Sequence, residues 1–253
     1  MRNQVELTVV DRDGREAPMQ IEVKALRGSG FTNRDRHAIR EMSDDRRKNG
    51  RSWTAKELWT YRLSPYLLTI DESIDVQGPL TGGEVEVVTV FTADGVFVGV
   101  GSDQCDREMD GQYLEKPKQM CPHPLSPTVW KLEDVSDHWD ELQLESQVRV
   151  GDAVVDLHRF SMSQLVPLET WIDFCGLRNG PFATIFYCGT GMTVPGLSAE
   201  LERLGLSQDA AHGVGDEFKM RLYDPVLDRE IRHSYTVNVL GDDLDERRSQ
   251  ASG

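Results

Sequence analysis

The sequence predicts an α+β fold that is rich in β-strands arranged in mixed sheets, with a small N-terminal hairpin region. Apolar, β-branched runs recur in pairs with short turn sequences between them, a pattern typical of β-hairpins. Only a few segments show the apolar spacing of a helix. With 253 residues and 38% hydrophobic residues, the chain can build a core in one large domain or two modest ones.

The first hairpin is predicted where residues 4–10 and 19–23 alternate apolar and polar side chains around an Asp-Gly turn at positions 13 and 14. The next segment, residues 33–48, is highly charged and contains no Pro or Gly. It predicts either a solvated helix or a mobile segment.

The central hairpin is predicted over residues 84–91 and 96–100, two β-branched runs joined by a Thr-Ala-Asp-Gly turn. Residues 101–127 show almost no periodicity but are dense in Asp, Lys, Cys and Pro. Because long unpatterned loops inside compact domains are usually functional, we expect this segment to contribute to a site.

The second half of the chain predicts two more hairpins, a buried strand and two helices. The longer helix should begin at Ser161 as its cap and continue despite Pro167. In order we expect a hairpin at 147–150 and 153–155, a helix at 161–177, a strand at 182–187, a helix at 197–204 and a closing hairpin at 218–223 and 235–240. We divide the chain into a hairpin and helical segment over residues 1–75, a main unit over 76–240 and a disordered tail over 241–253.

The charge balance excludes several kinds of partner. Lys and Arg number 28 against 43 Asp and Glu, a net charge of −15, and no basic stripe with interleaved aromatic residues is present, so we expect no nucleic-acid partner. The longest apolar runs fall far short of the ~20 residues that span a bilayer, so we expect no membrane partner. The first residues carry no apolar signal segment, and the four cysteines form no CxxC pair. We therefore expect a cytoplasmic protein with reduced thiols.

Three carboxylates are the strongest candidates for chemistry. Glu84 and Glu86 have the spacing that puts both side chains on one face of a strand, and two such acids suit a hard divalent cation. In so acidic a chain the pair alone is uninformative. The hairpin that follows returns to where its first strand began, however, so Asp103 is predicted to approach both glutamates.

Lysine, cysteine and histidine residues supply further candidates, each with an ordinary alternative. Lys118, with Lys116 as its rival, lies in a proline-bounded loop where it could bind an oxyanion or simply be exposed. Cys188 could be a nucleophile if a base lay nearby, although a buried structural cysteine is the better interpretation. His37 and Glu41 share a helix face and could activate water, but such surface pairs are common.

Five segments in one order resemble the fumarylacetoacetate hydrolase superfamily, and more closely an uncharacterised bacterial branch allied to it. The resemblance extends roughly over residues 30–240, and the segments are Gly-Phe-Thr-Asn-Arg-Asp at 30–35, Gly-Glu-Val-Glu at 83–86, residues 99–108, Lys-Gln-Met-Cys-Pro at 118–122 and Phe-Tyr-Cys-Gly-Thr at 186–190. It implies that residues 76–240 form a catalytic domain with a β-roll fold, and that the helical segment within residues 1–75 resembles a lid.

The resemblance also implies roles for individual residues. Glu84, Glu86 and Asp103 match the ligands of Mg²⁺ or Mn²⁺, and Lys118 matches the active-site lysine. The residues matching substrate contacts are Arg107, Gln119, Gly189 and Thr190, the last also a catalytic candidate.

The sequence departs from the family pattern at two places. His37 and Glu41, the candidates for the water-activating pair, are four residues apart where three is usual, and an ungapped alignment puts Met42 near the histidine. Gln104 and Cys105 stand where the branch usually has His and Thr. The sequence therefore matches the family's metal ligands better than it matches the family's water-activating pair.

By resemblance, the expected activity is hydrolysis of a C–C bond in a small oxo acid of the acylpyruvate or 1,3-dicarbonyl type, through a metal-chelated enolate. Decarboxylation, isomerisation and dehydration on the same scaffold, or oxo-acid binding without catalysis, are the alternatives. An anionic substrate needs a local positive site in a chain of charge −15, which Lys118, Arg107 and a cation could provide. The resemblance and the exposed hairpin edges also predict a homodimer.

Overall fold

The computed structural model describes residues 3–48, 58–110, 112–179 and 183–240. The predicted tail at 241–253 lies outside these residues. The described residues form a β-rich fold with few helices. The strands are β1 (Gln4–Val10), β2 (Glu16–Glu22), β3 (Ala25–Gly30), β4 (Trp59–Leu63), β5 (Leu68–Thr69), β6 (Ser73–Val76), β7 (Thr81–Gly82), β8 (Val85–Thr92), β9 (Gly95–Ser102), β10 (Cys105–Asp106), β11 (His123–Pro124), β12 (Thr128–Lys131), β13 (Gln143–Val150), β14 (Ala153–Ser161), β15 (Thr184–Tyr187), β16 (Glu217–Asp224) and β17 (Arg229–Val239). The α-helices are α1 (Arg36–Lys48), α2 (Lys116–Gln119), α3 (Leu168–Cys175) and α4 (Leu197–Leu204).

The larger sheet is mixed and has eight strands in the order β2-β1-β12-β9-β8-β15-β3-β4. Its parallel pairs are β1 with β12 and β15 with β3, and the other neighbours are antiparallel. The predicted N-terminal hairpin, β1 and β2, forms one edge of this sheet because β1 pairs with β12 at Thr8 and Thr128. Residues from the first 75 positions therefore occupy both edges of the sheet.

The smaller sheet has five strands in the order β14-β13-β16-β17-β6, with β17 and β6 parallel. A hydrophobic core fills the space between the two sheets, and a second core covers the opposite face of the larger sheet. Strand β8 contributes to both, since Val87 belongs to the first core and Val88 to the second. A strand buried on both faces explains the nearly continuous apolar run of β8.

Most predicted elements agree with the structure. The predicted hairpins form as β1–β2, β8–β9, β13–β14 and β16–β17, and α4 has the predicted bounds. Strands β2 and β17 begin earlier than expected, at Glu16 and Arg229. The prediction of a helix beginning at Ser161 is wrong, because Ser161 ends β14 and α3 starts at Leu168. Pro167 disfavours helical backbone in the residue before it, and the amide of Val166 bonds to the carbonyl of Thr32 instead.

Two segments whose structure the sequence left open are ordered. The charged segment forms α1, whose first turn is capped by Asp35, its Oδ1 accepting from the amide of His37 at 2.8 Å. The unpatterned segment contains β10, α2 and β11, and its strands pair with β7 and β5. None of the helices in the described part of the chain has the length and apolar character needed to cross a bilayer.

Gly101, near the end of β9, provides a test of this packing. A Cβ atom there would lie 2.6 Å from Cγ2 of Val88 and 2.8 Å from the carbonyl oxygen of Pro124. We expect Gly101→Ala to lower the free energy of unfolding by about 1–3 kcal/mol in urea titrations, because the core would be overpacked. The control is Gly78→Ala, where the nearest atom is 3.7 Å away. Equal stability of the two variants would contradict the described packing.

Candidate metal centre

Three acidic side chains meet at the end of the central hairpin. Glu84 precedes β8, Glu86 lies within it, and Asp103 follows β9. The hairpin register pairs Val85 with Ser102, and the amide of Asp103 donates to the carbonyl of Glu84 at 2.9 Å. One carboxylate oxygen from each residue lies within 4.8 Å of the others. The return of the hairpin thus brings the three acids together at the base of a cavity of about 420 Å³.

Two cationic side chains compensate this negative charge. Nζ of Lys118, on α2, lies 2.9 Å from Oε2 of Glu84 and 2.6 Å from Oδ2 of Asp103. Nη1 of Arg107 lies 3.0 Å from Oε1 of Glu84. Lys116 lies elsewhere, its ammonium 4.0 Å from the centre of the Tyr113 ring. The structure therefore places Lys118, and not its rival, at the acids.

The buried charges shift one another's protonation. Burial raises the pKa of Glu84, but the ion pairs with Lys118 and Arg107 outweigh burial and hold that pKa well below its usual range. Burial raises the pKa of Asp103, but Lys118 and His123 together outweigh burial and lower it. Burial lowers the pKa of Lys118, but Asp103 and Glu84 raise it well above its usual value. The ammonium therefore keeps its proton.

Glu86 differs from the other two acids. Burial and the nearby charge of Asp103 raise its pKa well above the usual range. Its Oε2 accepts a hydrogen bond of 2.7 Å from the amide of Gly189. Gly189 has φ +97°, and a Cβ there would lie 2.1 Å from the side chain of Thr32, so only glycine fits. The turn after β15 thus orients Glu86 through its backbone.

Thr190 and Arg107, predicted to contact substrate, line the cavity. The Oγ1 atom of Thr190 is buried and has no hydrogen-bond partner among the described residues, so it is available to a ligand. Arg107 is engaged by Glu84 and by the carbonyl of Gly82. Gln119 lies outside the cavity, where its amide bonds to the backbone and hydroxyl of Ser64 and holds α2 in place.

The His37–Glu41 pair is not brought to the acids. Both side chains are 71% exposed, with 3.6 Å between Nδ1 and Oε2. The face of α1 that lines the cavity instead carries Ala38 and Ile39. Met42 lies among the residues whose side chains the structure does not describe.

Two residues that sequence reasoning missed contact Asp103. The hydroxyl of Tyr61, on β4, donates to its Oδ2, and Nδ1 of His123 lies 3.2 Å from its Oδ1. The other ring nitrogen of His123 lies 2.9 Å from the carbonyl of Lys118. His123 belongs to the unpatterned segment 101–127, which the sequence had already indicated as a contributor to a site. No local pattern marked Tyr61, because it lies 42 residues before Asp103 in the chain.

The two residues that depart from the family pattern, Gln104 and Cys105, and the alternative nucleophile Cys188 make contacts other than with the three acids. The side-chain oxygen of Gln104 accepts from the Tyr235 hydroxyl at 2.6 Å, and Cys105 is fully buried. Sγ of Cys188 lies 3.8 Å from Oγ1 of Thr89, and burial raises its pKa well above the usual value. The thiol is therefore held in its unreactive form.

The donor set fits a hard divalent cation. It consists of carboxylate oxygens, which Mg²⁺ and Mn²⁺ prefer. In octahedral coordination of Mg²⁺, neighbouring ligand oxygens lie ~3.0 Å apart and opposite ones ~4.2 Å apart. The three oxygens lie within 4.8 Å of one another, so they need to close by at most about 1.8 Å. Glu84, Glu86 and Asp103 would hold the ion, and Lys118 would border it.

Fold and site together define a β-rich protein with mixed sheets and a candidate divalent-cation centre of three carboxylates and a lysine. A family model described as "Protein of unknown function (DUF2848)" matches residues 29–235. The chain belongs to this family. No curated protein sequence matches it.

Solved structures share this fold. Cg1458 has a TM-score of 0.58 at 13% identity, over 89% of this chain and 83% of that one. The apo form of 2-keto-3-deoxy-D-arabinonate dehydratase has a TM-score of 0.60 at 16% identity, over 87% and 74%. The same dehydratase complexed with magnesium and 2,5-dioxopentanoate has a TM-score of 0.58 at 17% identity, over 87% and 75%. At these identities the likeness shows the fold.

His158, which also lines the cavity, gives the protein a predictable pH dependence. Its Nδ1 lies 2.7 Å from Oγ of Ser146, and burial lowers its pKa from 6.5 to about 4. Between these two values the unfolded chain binds a proton at this residue and the folded chain does not. This residue therefore makes stability fall as the pH falls from about 6.5 to about 4, by up to about 3 kcal/mol.

Urea titrations across this pH range measure the effect. We expect His158→Gln to flatten the curve by up to about 1.4 kcal/mol per pH unit. The control is His37→Gln, which removes an exposed histidine and should reproduce the wild-type curve. A variant curve as steep as wild type would contradict the assignment to His158.

Proposed function

We propose that the protein is a Mg²⁺- or Mn²⁺-dependent enzyme of the fumarylacetoacetate hydrolase superfamily that acts on a small 2-oxo acid. The observation that carries this proposal is the convergence of Glu84, Glu86 and Asp103 with Lys118 in one cavity. The fold that the chain shares with a dehydratase complexed with magnesium and 2,5-dioxopentanoate supports it.

The protein's own residues bind the substrate and stabilise the charge that develops on it. A divalent cation supplies Lewis-acid chemistry at the 2-oxo carboxylate. The ammonium of Lys118, which keeps its proton, stabilises the negative charge that develops on the 2-oxo oxygen when C3 loses its proton. The free hydroxyl of Thr190 donates to the substrate carboxylate, and Gly189 holds Glu86 in place.

The geometry favours an elimination or decarboxylation over hydrolysis. Cleavage of a C–C bond by water needs a base near the reacting carbon. The His37–Glu41 pair, which would activate that water, faces away from the cavity. Dehydration of a 4-hydroxy-2-oxo acid needs no activated water and is the reaction that the described residues fit best. In this reaction the C3–H and C4–O bonds break, a C3–C4 double bond forms, and the proton from C3 and the hydroxide from C4 leave together as water.

Hydrolysis of a C–C bond in an acylpyruvate is the second candidate. It is favoured by the position of α1, which carries His37 and Glu41 and lines the cavity through Ala38 and Ile39. A rotation of α1 about its own axis would bring His37 and Glu41 toward the substrate.

We also propose that the protein forms a homodimer. Strands β2 and β4 end the larger sheet and β14 and β6 end the smaller one, and strand edges gain by pairing. Sedimentation equilibrium at micromolar concentration distinguishes a dimer from a monomer.

Metal binding is the first test. Isothermal titration with Mg²⁺ and Mn²⁺ should show one site in the wild type, and Glu86→Gln should weaken it at least tenfold, because a carboxyl group that ionises when the cation binds is replaced by a neutral amide. The control Glu16→Gln removes an exposed acid on β2 and should bind as wild type does. A wild type that binds neither ion would refute the proposal.

Turnover is the second test. With Mg²⁺ present, we expect conversion of 4-hydroxy-2-oxo acids to fall by a factor of about 10²–10³ in Lys118→Ala, because a charge-stabilising group is removed. The control is Lys116→Ala, which changes a lysine outside the cavity and should keep full activity. If the wild type binds oxo acids with the cation but converts neither these nor acylpyruvates, the protein is an oxo-acid-binding protein and not an enzyme.

A further inference from the structure

One side of the cavity is a continuous aromatic surface. It consists of Phe31, Trp59 and Tyr61, which we call the aromatic wall. The ring centres of Tyr61 and Trp59 are 4.8 Å apart, and those of Trp59 and Phe31 are 5.8 Å apart. Ile39 and Leu114 extend this apolar lining.

The wall begins at the candidate metal centre. The Tyr61 hydroxyl donates to Asp103, and the wall continues from the ring of Tyr61 to Trp59 and Phe31. A ligand whose head group is held by the three acids and their cation therefore has this surface beside its tail.

The backbone of β3 is built to receive these rings. In the sheet register Gly28 pairs with Tyr61 and Gly30 with Trp59. A Cβ at Gly28 would lie 2.3 Å from the Tyr61 ring, and one at Gly30 would lie 2.7 Å from the Trp59 ring. The two glycines let the rings lie directly against the strand, which fixes the position of the wall.

Phe31 follows β3 in an uncommon backbone conformation, with φ +60°. Left-handed backbone is unfavourable for a bulky residue and persists where surrounding contacts hold it, often at binding sites. Here Nη1 of Arg36 donates to the carbonyl of Phe31 at 2.7 Å. This conformation places an aromatic side chain in the cavity lining.

The polar groups next to the wall are engaged within the protein. The hydroxyl of Ser29 donates to the carbonyl of Tyr187, and that of Thr32 donates to the carbonyl of Thr190. The side-chain oxygen of Asn33 accepts from the amide of Asp35. These groups are poorly placed to bind a polyhydroxylated tail.

The positive charge of the cavity lies at one end of the wall, beside Asp103, which the Tyr61 hydroxyl contacts. Lys118 and Arg107 are the lysine and arginine among the described lining residues, and both pair with Glu84. A second carboxylate at the far end of the ligand would therefore meet the rings of Trp59 and Phe31, where the described lining residues include no further lysine or arginine. Burying an unpaired charge there is costly.

We propose that the substrate of this protein carries an apolar tail, an aromatic ring or a branched alkyl group, that packs on the aromatic wall. This inference rests on the proposed function for the 2-oxo acid head group. It distinguishes the ligand from sugar acids and from dicarboxylic oxo acids, which have polar or anionic tails.

Three probes with the same head group test the tail. In the presence of Mg²⁺, titration calorimetry compares 2-oxobutanoate, 4-phenyl-2-oxobutanoate and 2-oxoglutarate. We expect the phenyl compound to bind at least tenfold more tightly than 2-oxobutanoate, and 2-oxoglutarate to bind no more tightly than 2-oxobutanoate. A phenyl ring that adds no affinity, or a preference for 2-oxoglutarate, would overturn the proposal.

Variants assign the preference to the wall. Phe31→Asn keeps a residue that tolerates positive φ but removes the ring, and Trp59→Ala removes the central ring. Each should reduce the advantage of the phenyl compound to less than threefold while the affinity for 2-oxobutanoate stays within twofold. Phe174→Ala removes an exposed ring that does not line the cavity and should keep the full advantage.

The outcomes separate this inference from the proposed function. If none of the three probes binds in the presence of Mg²⁺, the assignment of an oxo-acid head group fails, and the tail proposal fails with it. If 2-oxobutanoate binds but the phenyl ring adds nothing, only the tail proposal fails. Should Trp59→Ala not fold, Phe31→Asn still decides the role of the wall.

Discussion

The burial of three carboxylates in one place is the constraint on which the site and its surroundings depend. Charges of like sign in a medium of low polarity repel one another strongly, and each also loses its hydration. The protein surrounds them with opposite charge from Lys118 and Arg107 and with donors from Tyr61 and Gly189. Elements from distant parts of the chain converge here, and the charges and donors that they supply lower the free-energy cost of burying the acids.

The central hairpin supplies the rigid base for this arrangement. Strand β8 is buried on both faces, and Glu86, at the start of this apolar strand, is only 1% exposed. An acid in that position has few conformations available, and the amide of Gly189 defines the one that it adopts. Preorganised ligands of this kind bind an ion without ordering mobile side chains first. The same sheet continues through β15 and β3 to β4, which carries Trp59 and Tyr61 of the aromatic wall.

Much of the fold could be predicted because hairpins are local. Alternating residues around a short turn specify the two strands of β1–β2, and paired β-branched runs around a turn specify those of β8–β9. The start of α3 was mistaken because Ser161 suits a helix cap but also suits the end of a strand. Whether this segment is strand or helix depends on the hydrogen bond between Val166 and Thr32. These residues are 134 positions apart, so no local sequence pattern reports their contact.

The sequence by itself determined that the three acids of the candidate metal centre converge. Glu84, Glu86 and Asp103 lie on one hairpin, whose geometry follows from short-range spacing. Only the tertiary structure decided which lysine reaches them, that His37 and Glu41 face away from the cavity, and that Tyr61 and His123 contact Asp103. The physical reason is that these contacts join separate elements, so they depend on how sheets and helices pack and not on the spacing of neighbouring residues.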